Sequence, residues 1–339
     1  MNRREFIRTG SAAAAVAAFG GCATKAVPTP VKRTDFMWGG LVHLGYNMWN
    51  NHADHLITEP AAWNAIVAAM QRNRFNAMVV DLGEALVYPS HPELAVTGSW
   101  SPAKLRDELA RLRDFGITPY PKLNFSLTHC EWMKQYRQMV STPRYYEVVA
   151  DLIRDAVEVF DGPEYVHIGF DEEQMPGYQA KYPLAMFRQG DLWWHDFLYT
   201  VREVEKYGAR AWTFSDVAWK HMDEFRKNMP KSVVQCPWNF VHDKKLPYFV
   251  DSVKEMSALG YDIVPDLCTY TRDPSRIQTC EAENWMEFCL KGGIPEKQLK
   301  GFLLCTWRSV TETNRDYHER AYAYGGELRT RWEKGANPR

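Results

Sequence analysis

PRYYEVVADLIRDAVEVFDGPEYVHIGFDEE, residues 143–173, contains one complete unit of the pattern that decides the fold. Apolar residues recur every three or four positions up to residue 160, which predicts an amphipathic helix that stops at Gly162. Residues 165–170 are then a short and nearly continuous apolar run, which predicts a strand buried on both faces. Three consecutive acids, Asp171, Glu172 and Glu173, follow this apolar run at the end of the predicted strand.

The same alternation of strand and helix occurs eight times along the chain. The predicted strands cover residues 37–46, 76–83, 117–125, 165–173, 209–217, 232–240, 261–270 and 301–310, and an amphipathic helical stretch follows each of them. Eight such units close a parallel barrel. We therefore predict an α/β fold with one domain, a (β/α)8 TIM barrel over residues 31–339. An open doubly wound sheet is the alternative, but no glycine-rich phosphate turn follows any strand.

The N-terminal segment, residues 1–30, has the features of an export signal. Arg3 and Arg4 precede an alanine-rich apolar run over residues 11–21, as in twin-arginine signals. This run is too short to span a membrane, and it ends at Phe19-Gly20-Gly21-Cys22, which is similar to a bacterial lipoprotein cleavage box. We predict a periplasmic or cell-surface lipoprotein that contacts the membrane through a lipid on Cys22. An ordinary signal peptide with a chance cysteine is the alternative.

Composition limits the classes of partner. The 41 basic side chains nearly balance the 42 acidic ones, so the chain has no electrostatic footprint for nucleic acid. The 13 Trp and 17 Tyr residues are typical of a cleft in which flat rings stack on sugars, so a glycan is the expected partner. The cysteines after Cys22 lack metal-type spacing, and Cys236, Cys268 and Cys305 lie in apolar runs that predict buried thiols. No metal site or cofactor is predicted.

Polar residues at the ends of the strands are the candidate site, because the active sites of such barrels lie there. Adjacent carboxylates repel each other in a partly dry cleft, and that repulsion keeps one of them protonated, as a general acid requires. Asp171 and Glu172 are therefore the candidate catalytic pair, and an exposed acidic turn is the alternative. The candidate substrate-binding residues are His43, Asp81, Asn124, His129, Trp212, Asp216, Trp238, Tyr270, Trp307 and Arg308.

Two segments carry a resemblance to a known family. HIGFDE, residues 167–172, resembles the His-x-Gly-Gly-Asp-Glu signature of the family 20 glycoside hydrolases, the β-N-acetylhexosaminidases, with Phe170 at the second glycine. PKLNFSLTH, residues 121–129, resembles their motif of Pro-Glu, an Asp and then Pro-Gly-His, with Asn124 at the Asp. The family's sugar pocket has tryptophan walls on strands five, six and eight, where this chain has Trp212 or Trp219, Trp238 and Trp307.

The resemblance implies a retaining mechanism in which the acetamido oxygen of the substrate attacks the anomeric carbon. Glu172 would then be the acid/base, Asp171 would hold the acetamido N–H, and Tyr270 would hydrogen-bond the acetamido oxygen. The family has an arginine at the end of strand one that grips sugar hydroxyls. This chain has His43, Tyr46 and Asn47 there instead, and Arg308 on strand eight is a candidate substitute from another direction.

The predicted function is removal of terminal β-linked N-acetylhexosamine from glycans by a glycosidase without a cofactor. A glycan-binding lipoprotein that lost turnover is one alternative, favoured by the missing strand-one arginine and by Asn124. A glycosidase that uses two enzyme carboxylates, Glu172 with Asp216 or Glu312, is the other.

Overall fold

The computed structural model describes residues 36–173, 186–238, 247–271, 277 and 282–335. The predicted export signal and Cys22 lie outside these residues. No helix in the described ranges is long and apolar enough to cross a membrane.

Seven parallel strands form one curled sheet. In chain order they are β1 (Met37–His43), β2 (Ala77–Asp81), β3 (Thr118–Lys122), β4 (Tyr165–Gly169), β5 (Arg210–Phe214), β6 (Val234–Cys236) and β7 (Gly301–Ser309). Their order in the sheet is β6-β5-β4-β3-β2-β1-β7, and every neighbouring pair is parallel. All the strands therefore end at the same edge.

The segment 261–270 differs from its prediction because it is not a continuous strand. Pro265 interrupts it and has no N–H for a ladder. The segment makes isolated parallel bridges, of Ile263 with β6 and of Asp266 with β7. The amide of Val264 donates to Gln235 of β6 at 2.9 Å, and that of Leu303 of β7 donates to Pro265 at 2.9 Å. Within the described residues the sheet therefore has seven strands, where eight were predicted.

Helices connect the strands, as the periodicity predicts. They are α1 (Pro60–Arg72), α2 (Pro102–Asp114), α3 (Pro143–Val159), α4 (Gly190–Glu205), α5 (Val217–Lys220), α6 (Met222–Asn228), α7 (Pro247–Ala258), α8 (Ala282–Leu290) and α9 (Glu312–Glu333). Ser101 and Thr142 begin α2 and α3 as N-caps. The Ser101 hydroxyl accepts from the amide of Lys104 at 3.2 Å, and the Thr142 hydroxyl accepts from that of Tyr145 at 3.3 Å. These local signals explain why the helix starts could be predicted.

Two apolar clusters cover the two faces of the sheet. The larger cluster packs the helices against one face and includes Ile66 of α1 and Val80 of β2. The smaller cluster fills the curl of the sheet with alternate strand residues, because successive side chains of a strand point to opposite faces. Its members include Leu41, Val79, Tyr120, Trp212, Cys305 and Trp307. Polar residues continue these inward rows at the carboxyl ends of the strands.

Candidate active site

The site is built around a turn that starts where β4 ends. The predicted strand ran to residue 173, but the observed strand stops at Gly169, whose φ is +73°. Phe170 and Glu172 also have left-handed backbones, with φ of +64° and +67°. A Cβ atom on residue 169 would lie 1.9 Å from Asn124 Oδ1. Such backbone angles are costly for residues with side chains and concentrate at functional sites.

Side chains from the neighbouring elements hold this turn on both sides. Thr213 Oγ1 of β5 donates to the carbonyl of Gly169 at 2.8 Å. After β3, the hydroxyls of Ser126 and Thr128 both donate to the carbonyl of Asp171, the latter at 3.4 Å. The turn is therefore fixed by the two strands that flank β4.

Asp171 and Glu172 stand beside a neutral histidine. Asn124 Nδ2 donates to Asp171 Oδ1 at 3.1 Å, and Asn124 Oδ1 accepts from the amide of Ser126 at 3.0 Å, which orients the amide group. His129 Nε2 lies 3.7 Å from Asp171 Oδ2 and 3.8 Å from Glu172 Oε2. Burial lowers the pKa of His129 to about 4, so its imidazole is neutral at pH 7. The structure therefore brings together Asn124, His129, Asp171 and Glu172.

Asp216 lies under this turn. Its Oδ2 accepts from the amide of Glu172 at 2.9 Å, and its Oδ1 accepts from Trp238 Nε1 at 3.3 Å. Burial and the nearby charge of Asp171 raise the pKa of Asp216 to about 7. Trp238 in turn packs against Trp219, with ring centroids 4.6 Å apart.

His43, Asp81 and Lys122 form a charged cluster on the inward rows of β1, β2 and β3. His43 Nδ1 lies 2.8 Å from Asp81 Oδ2, and Lys122 Nζ donates to the same oxygen at 2.5 Å. Burial favours the neutral acid, but the Lys122 ammonium and His43 outweigh it and hold the pKa of Asp81 well below its usual range. Burial also lowers the pKa of His43. Lys122 was not among the predicted site residues, although a lysine in an apolar strand is a visible signal.

Trp307 lies at the centre of an aromatic wall. Its ring centroid is 5.2 Å from that of His43, 5.7 Å from Trp49 and 6.1 Å from His129. Trp212, by contrast, is fully buried lower in the curl, where it packs against Tyr165 and His167. Of the two predicted strand-five tryptophans, Trp219 is therefore the one that joins Trp238.

Tyr270 and Arg308 lie together near the wall. Arg308 Nη2 donates to the carbonyl of Thr271 at 2.7 Å, and its guanidinium lies 5.7 Å from the Tyr270 ring and 4.3 Å from the Tyr317 ring. Tyr46, whose pKa burial raises to about 12, donates from its hydroxyl to the carbonyl of Trp307 at 3.2 Å. The Tyr270 side chain is exposed, so a ligand can reach it.

A buried ion-pair network behind the site was also missed. Arg188 donates to both carboxylate oxygens of Glu173, to Asp196 Oδ2 at 3.3 Å and to the carbonyl of Phe125 at 2.8 Å. Glu173 Oε1 accepts from the amide of Leu127 at 2.7 Å. This network, named the Arg188 clamp below, ties the residue after Glu172 to the loop that carries Asn124 and His129.

The described residues contain no group of three or more His, Cys, Asp or Glu that could hold a metal ion. Cys236, Cys268 and Cys305 are buried free thiols, as their apolar surroundings predicted. Burial raises the pKa of the Cys236 and Cys305 thiols, which makes them poor nucleophiles.

No protein-family model matches this sequence. No curated protein matches it either. Solved structures do match in fold. The chitobiase of Flavobacterium johnsoniae has a TM-score of 0.61 at 16% identity, over 89% of this chain and 51% of that chain. The β-N-acetylhexosaminidase of Bacteroides fragilis has a TM-score of 0.60 at 14% identity, over 86% of this chain and 65% of that one.

The exo-β-N-acetylglucosaminidase of Vibrio harveyi, solved with N-acetylglucosamine, has a TM-score of 0.59 at 15% identity, over 90% of this chain and 59% of that chain. This chain spans between about half and two thirds of the length of these three proteins. At such identities the likeness is one of fold. The chain therefore has a fold like that of the family 20 glycoside hydrolases, the β-N-acetylhexosaminidases, although its sequence differs widely from theirs.

Proposed function

We propose that this chain is an exo-acting glycoside hydrolase that removes terminal β-linked N-acetylhexosamine from glycans. The observation that carries the proposal is the geometry at the end of β4. Asp171 and Glu172 stand side by side on a strained turn, with the Asn124 amide on one carboxylate and neutral His129 within 3.8 Å of both. A strained backbone held from both sides is typical of a preorganised catalytic group.

The proposed chemistry has two steps with net retention at the anomeric carbon. In the first, the acetamido oxygen bonds to C1 as the glycosidic C–O bond breaks, and Glu172 gives its proton to the leaving oxygen. Asp171 accepts a hydrogen bond from the acetamido N–H while positive charge develops in the resulting oxazolinium ring. In the second, water attacks C1 and gives a proton to Glu172, and the bond between C1 and the acetamido oxygen breaks.

The surroundings of the pair support this assignment of roles. Asn124 already donates to one oxygen of Asp171, which leaves the other oxygen on the side of His129. The rings of Trp49 and Trp307, with centroids 5.7 Å apart, provide an apolar wall for a pyranose face. Tyr270 and Arg308 provide hydroxyl and guanidinium donors near the same wall.

A mechanism with two enzyme carboxylates finds less support. Both oxygens of Asp216 accept from protein donors, and the side chain is buried beneath Glu172. Glu312 is the first residue of α9, where it is about half exposed and pairs with Arg315 at 3.4 Å. Neither carboxylate is placed as a free nucleophile beside Glu172.

The test is hydrolysis of N-acetylhexosaminides by wild type and Glu172→Gln. A positioned general acid contributes about 10²- to 10⁴-fold, so we expect kcat on a chitobiose-type disaccharide to fall by about that factor. The loss should be smaller on a nitrophenyl glycoside, because its leaving group needs less protonation. An inert wild type that still binds N-acetylglucosamine would contradict the enzyme proposal and support the glycan-binding alternative.

We also infer that the curled sheet closes into a full barrel through residues 261–268, which hydrogen-bond to both β6 and β7. The amides of Val264 and Asp266 donate to β6 and to the residue that follows it, and Leu303 of β7 donates to Pro265.

For the N-terminal segment, residues 1–30, we propose twin-arginine export and lipidation of Cys22. Mass spectrometry of the protein purified from membranes, with Cys22→Ala as the comparison, tests this proposal.

A further inference from the structure

Asp216 accepts hydrogen bonds both from the turn after β4 and from Trp238. One of its oxygens accepts the amide of Glu172 at 2.9 Å, and the other accepts the indole N–H of Trp238 at 3.3 Å. Trp238 packs on Trp219 with a centroid distance of 4.6 Å, and Trp219 belongs to α5, the helix that starts directly after Asp216. A single side chain thus links the acid-bearing turn to a pair of tryptophans.

The turn needs such a partner. Glu172 has a left-handed φ of +67°, which disfavours a residue with a side chain. An acceptor on its amide stabilises this conformation, and a carboxylate is a stronger acceptor for a buried N–H than a neutral group is. Loss of that acceptor would leave a partly buried amide without its hydrogen bond and would favour a different course of the turn.

We propose that Asp216 is a positioning residue, which fixes the aim of Glu172 through its backbone amide and ties that turn to the Trp219–Trp238 pair. The inference rests on the proposed function for its kinetic consequences. In this arrangement a sugar ring that stacks on the two tryptophans holds Trp238 in place. The Trp238 indole then holds the Asp216 carboxylate, which accepts from the amide of Glu172. Asp216 itself touches neither the glycosidic bond nor the acetamido group.

The strength of this tie depends on the charge of Asp216. The groups that face it are Asp171 and Glu172 from the turn after β4 and the non-titrating Trp238 from beyond β6, with His129 across the two acids. Burial and the charge of Asp171 raise its pKa to about 7, and the two N–H donors act in the opposite direction. The ionised form accepts both N–H groups best, so activity should rise as pH increases through about 7.

The kinetic test compares Asp216→Ala with Asp216→Asn. Alanine removes both acceptors, and misplacement of a catalytic group by about 1 Å costs about 10²-fold, so we expect kcat to fall by about that factor with KM changed by less than about threefold. Asparagine keeps one acceptor for the Glu172 amide, so we expect a loss of about tenfold. Asparagine should also abolish the rise in activity near pH 7.

Trp238→Phe provides a second readout. It keeps an aromatic ring but removes the N–H that favours ionised Asp216, so the rise in activity should move to higher pH. If Asp216 had only a structural role, its replacement would change stability and leave the pH profile of activity unchanged. Asp223→Asn is the matched control, because Asp223 is an exposed aspartate of α6 that pairs with Arg226.

Hydrogen exchange of the Glu172 amide separates this inference from the proposed function. We expect Asp216→Ala to speed that exchange by at least tenfold, whether or not the protein is an enzyme, and Asp223→Asn to leave it unchanged. If the Glu172 amide exchanges faster in Asp216→Ala but wild type is inert, the positioning role stands and the proposed hydrolase activity is refuted. An active wild type whose kcat, pH profile and Glu172 exchange are all unchanged in Asp216→Ala would overturn the positioning role.

Discussion

Gly169 shows how one residue sets the direction of the candidate catalytic pair. Its φ of +73° ends β4, and the carboxamide of Asn124 occupies the space where a Cβ atom would be. The absence of a side chain therefore serves two purposes, since it permits the turn and lets Asn124 reach Asp171.

Gly169→Ala separates these two purposes when it is compared with Gly116→Ala. Gly116 has almost the same φ, +74°, but nothing lies within 4 Å of its Cβ position. We expect Gly116→Ala to lower the free energy of unfolding by about 1–2 kcal/mol, the cost of a left-handed backbone. Gly169→Ala should cost at least about 1 kcal/mol more, because it also displaces Asn124.

Urea denaturation of both variants measures this difference, and activity provides an independent check. Only Gly169→Ala should lower kcat, because only this variant disturbs the partner of Asp171. Equal losses of stability in the two variants would show that Asn124 moves aside without cost.

Lys122 is a buried lysine that pairs with the buried acid Asp81. Its ammonium and His43 keep Asp81 ionised in the interior of the sheet. Because the folded pKa of Asp81 is depressed, its contribution to stability is fully present above the unfolded pKa of about 3.9 and is lost as pH falls toward the folded value.

Lys122→Met should therefore be destabilising in a pH-dependent way. Removal of one partner of a buried ion pair costs about 3–5 kcal/mol, because the other charge is left uncompensated. We expect that loss at pH 7 and a smaller one near pH 4, where Asp81 in the variant is protonated. Denaturation at the two pH values measures it, and a pH-independent loss would contradict the assigned ion pair.

At the scale of the elements, the Arg188 clamp joins three parts of the chain around the site. Arg188 precedes α4, Glu173 follows β4, and Phe125 and Leu127 belong to the loop after β3. Its charges are buried, so they stabilise the fold only as a complete set. The loop with Asn124 and His129 thereby keeps a fixed position relative to Glu172.

Arg188→Met should lower the free energy of unfolding by about 3–5 kcal/mol, because Glu173 and Asp196 would remain buried without their partner. Arg144→Met is the control, since Arg144 makes an exposed pair with Glu147, and exposed pairs contribute little to stability. The double variant Arg188→Met with Glu173→Gln should recover part of the loss. A loss in Arg188→Met as small as that in the control would refute the clamp.

At the scale of the whole molecule, ligand binding should be visible as increased stability. The proposed mechanism predicts that a thiazoline mimic of the oxazolinium binds the folded chain. At a concentration of 100 times Kd, such a ligand adds about 2.7 kcal/mol, or about 5 °C in Tm for a domain of this size.

This shift should be present in wild type and in Glu172→Gln and reduced in Asp171→Ala, because Asp171 is the proposed partner of the acetamido nitrogen. Glucose, which lacks the acetamido group, is the control ligand. A shift of equal size in Asp171→Ala would remove Asp171 from that role and reopen the mechanism with two enzyme carboxylates.

Sequence alone determined the features that depend on neighbours along the chain. Helices and strands follow from hydrophobic periods and from caps such as Ser101 and Thr142, and these interactions extend over only three or four positions. The position of Asp171 and Glu172 at a strand end follows from the same local pattern. The resemblance of HIGFDE to the family 20 signature suggested their proposed roles, and the matching structures agree with that resemblance in fold.

Tertiary structure alone decided the contacts between residues far apart in sequence. Lys122 meets Asp81 across 41 positions, Asp216 meets the amide of Glu172 across 44, and Arg188 meets Phe125 across 63. It also showed that Pro265 interrupts a predicted strand and that Trp212 is buried below the wall. No local period records these pairings, because they arise only when parallel strands bring their carboxyl ends to one edge of the curled sheet.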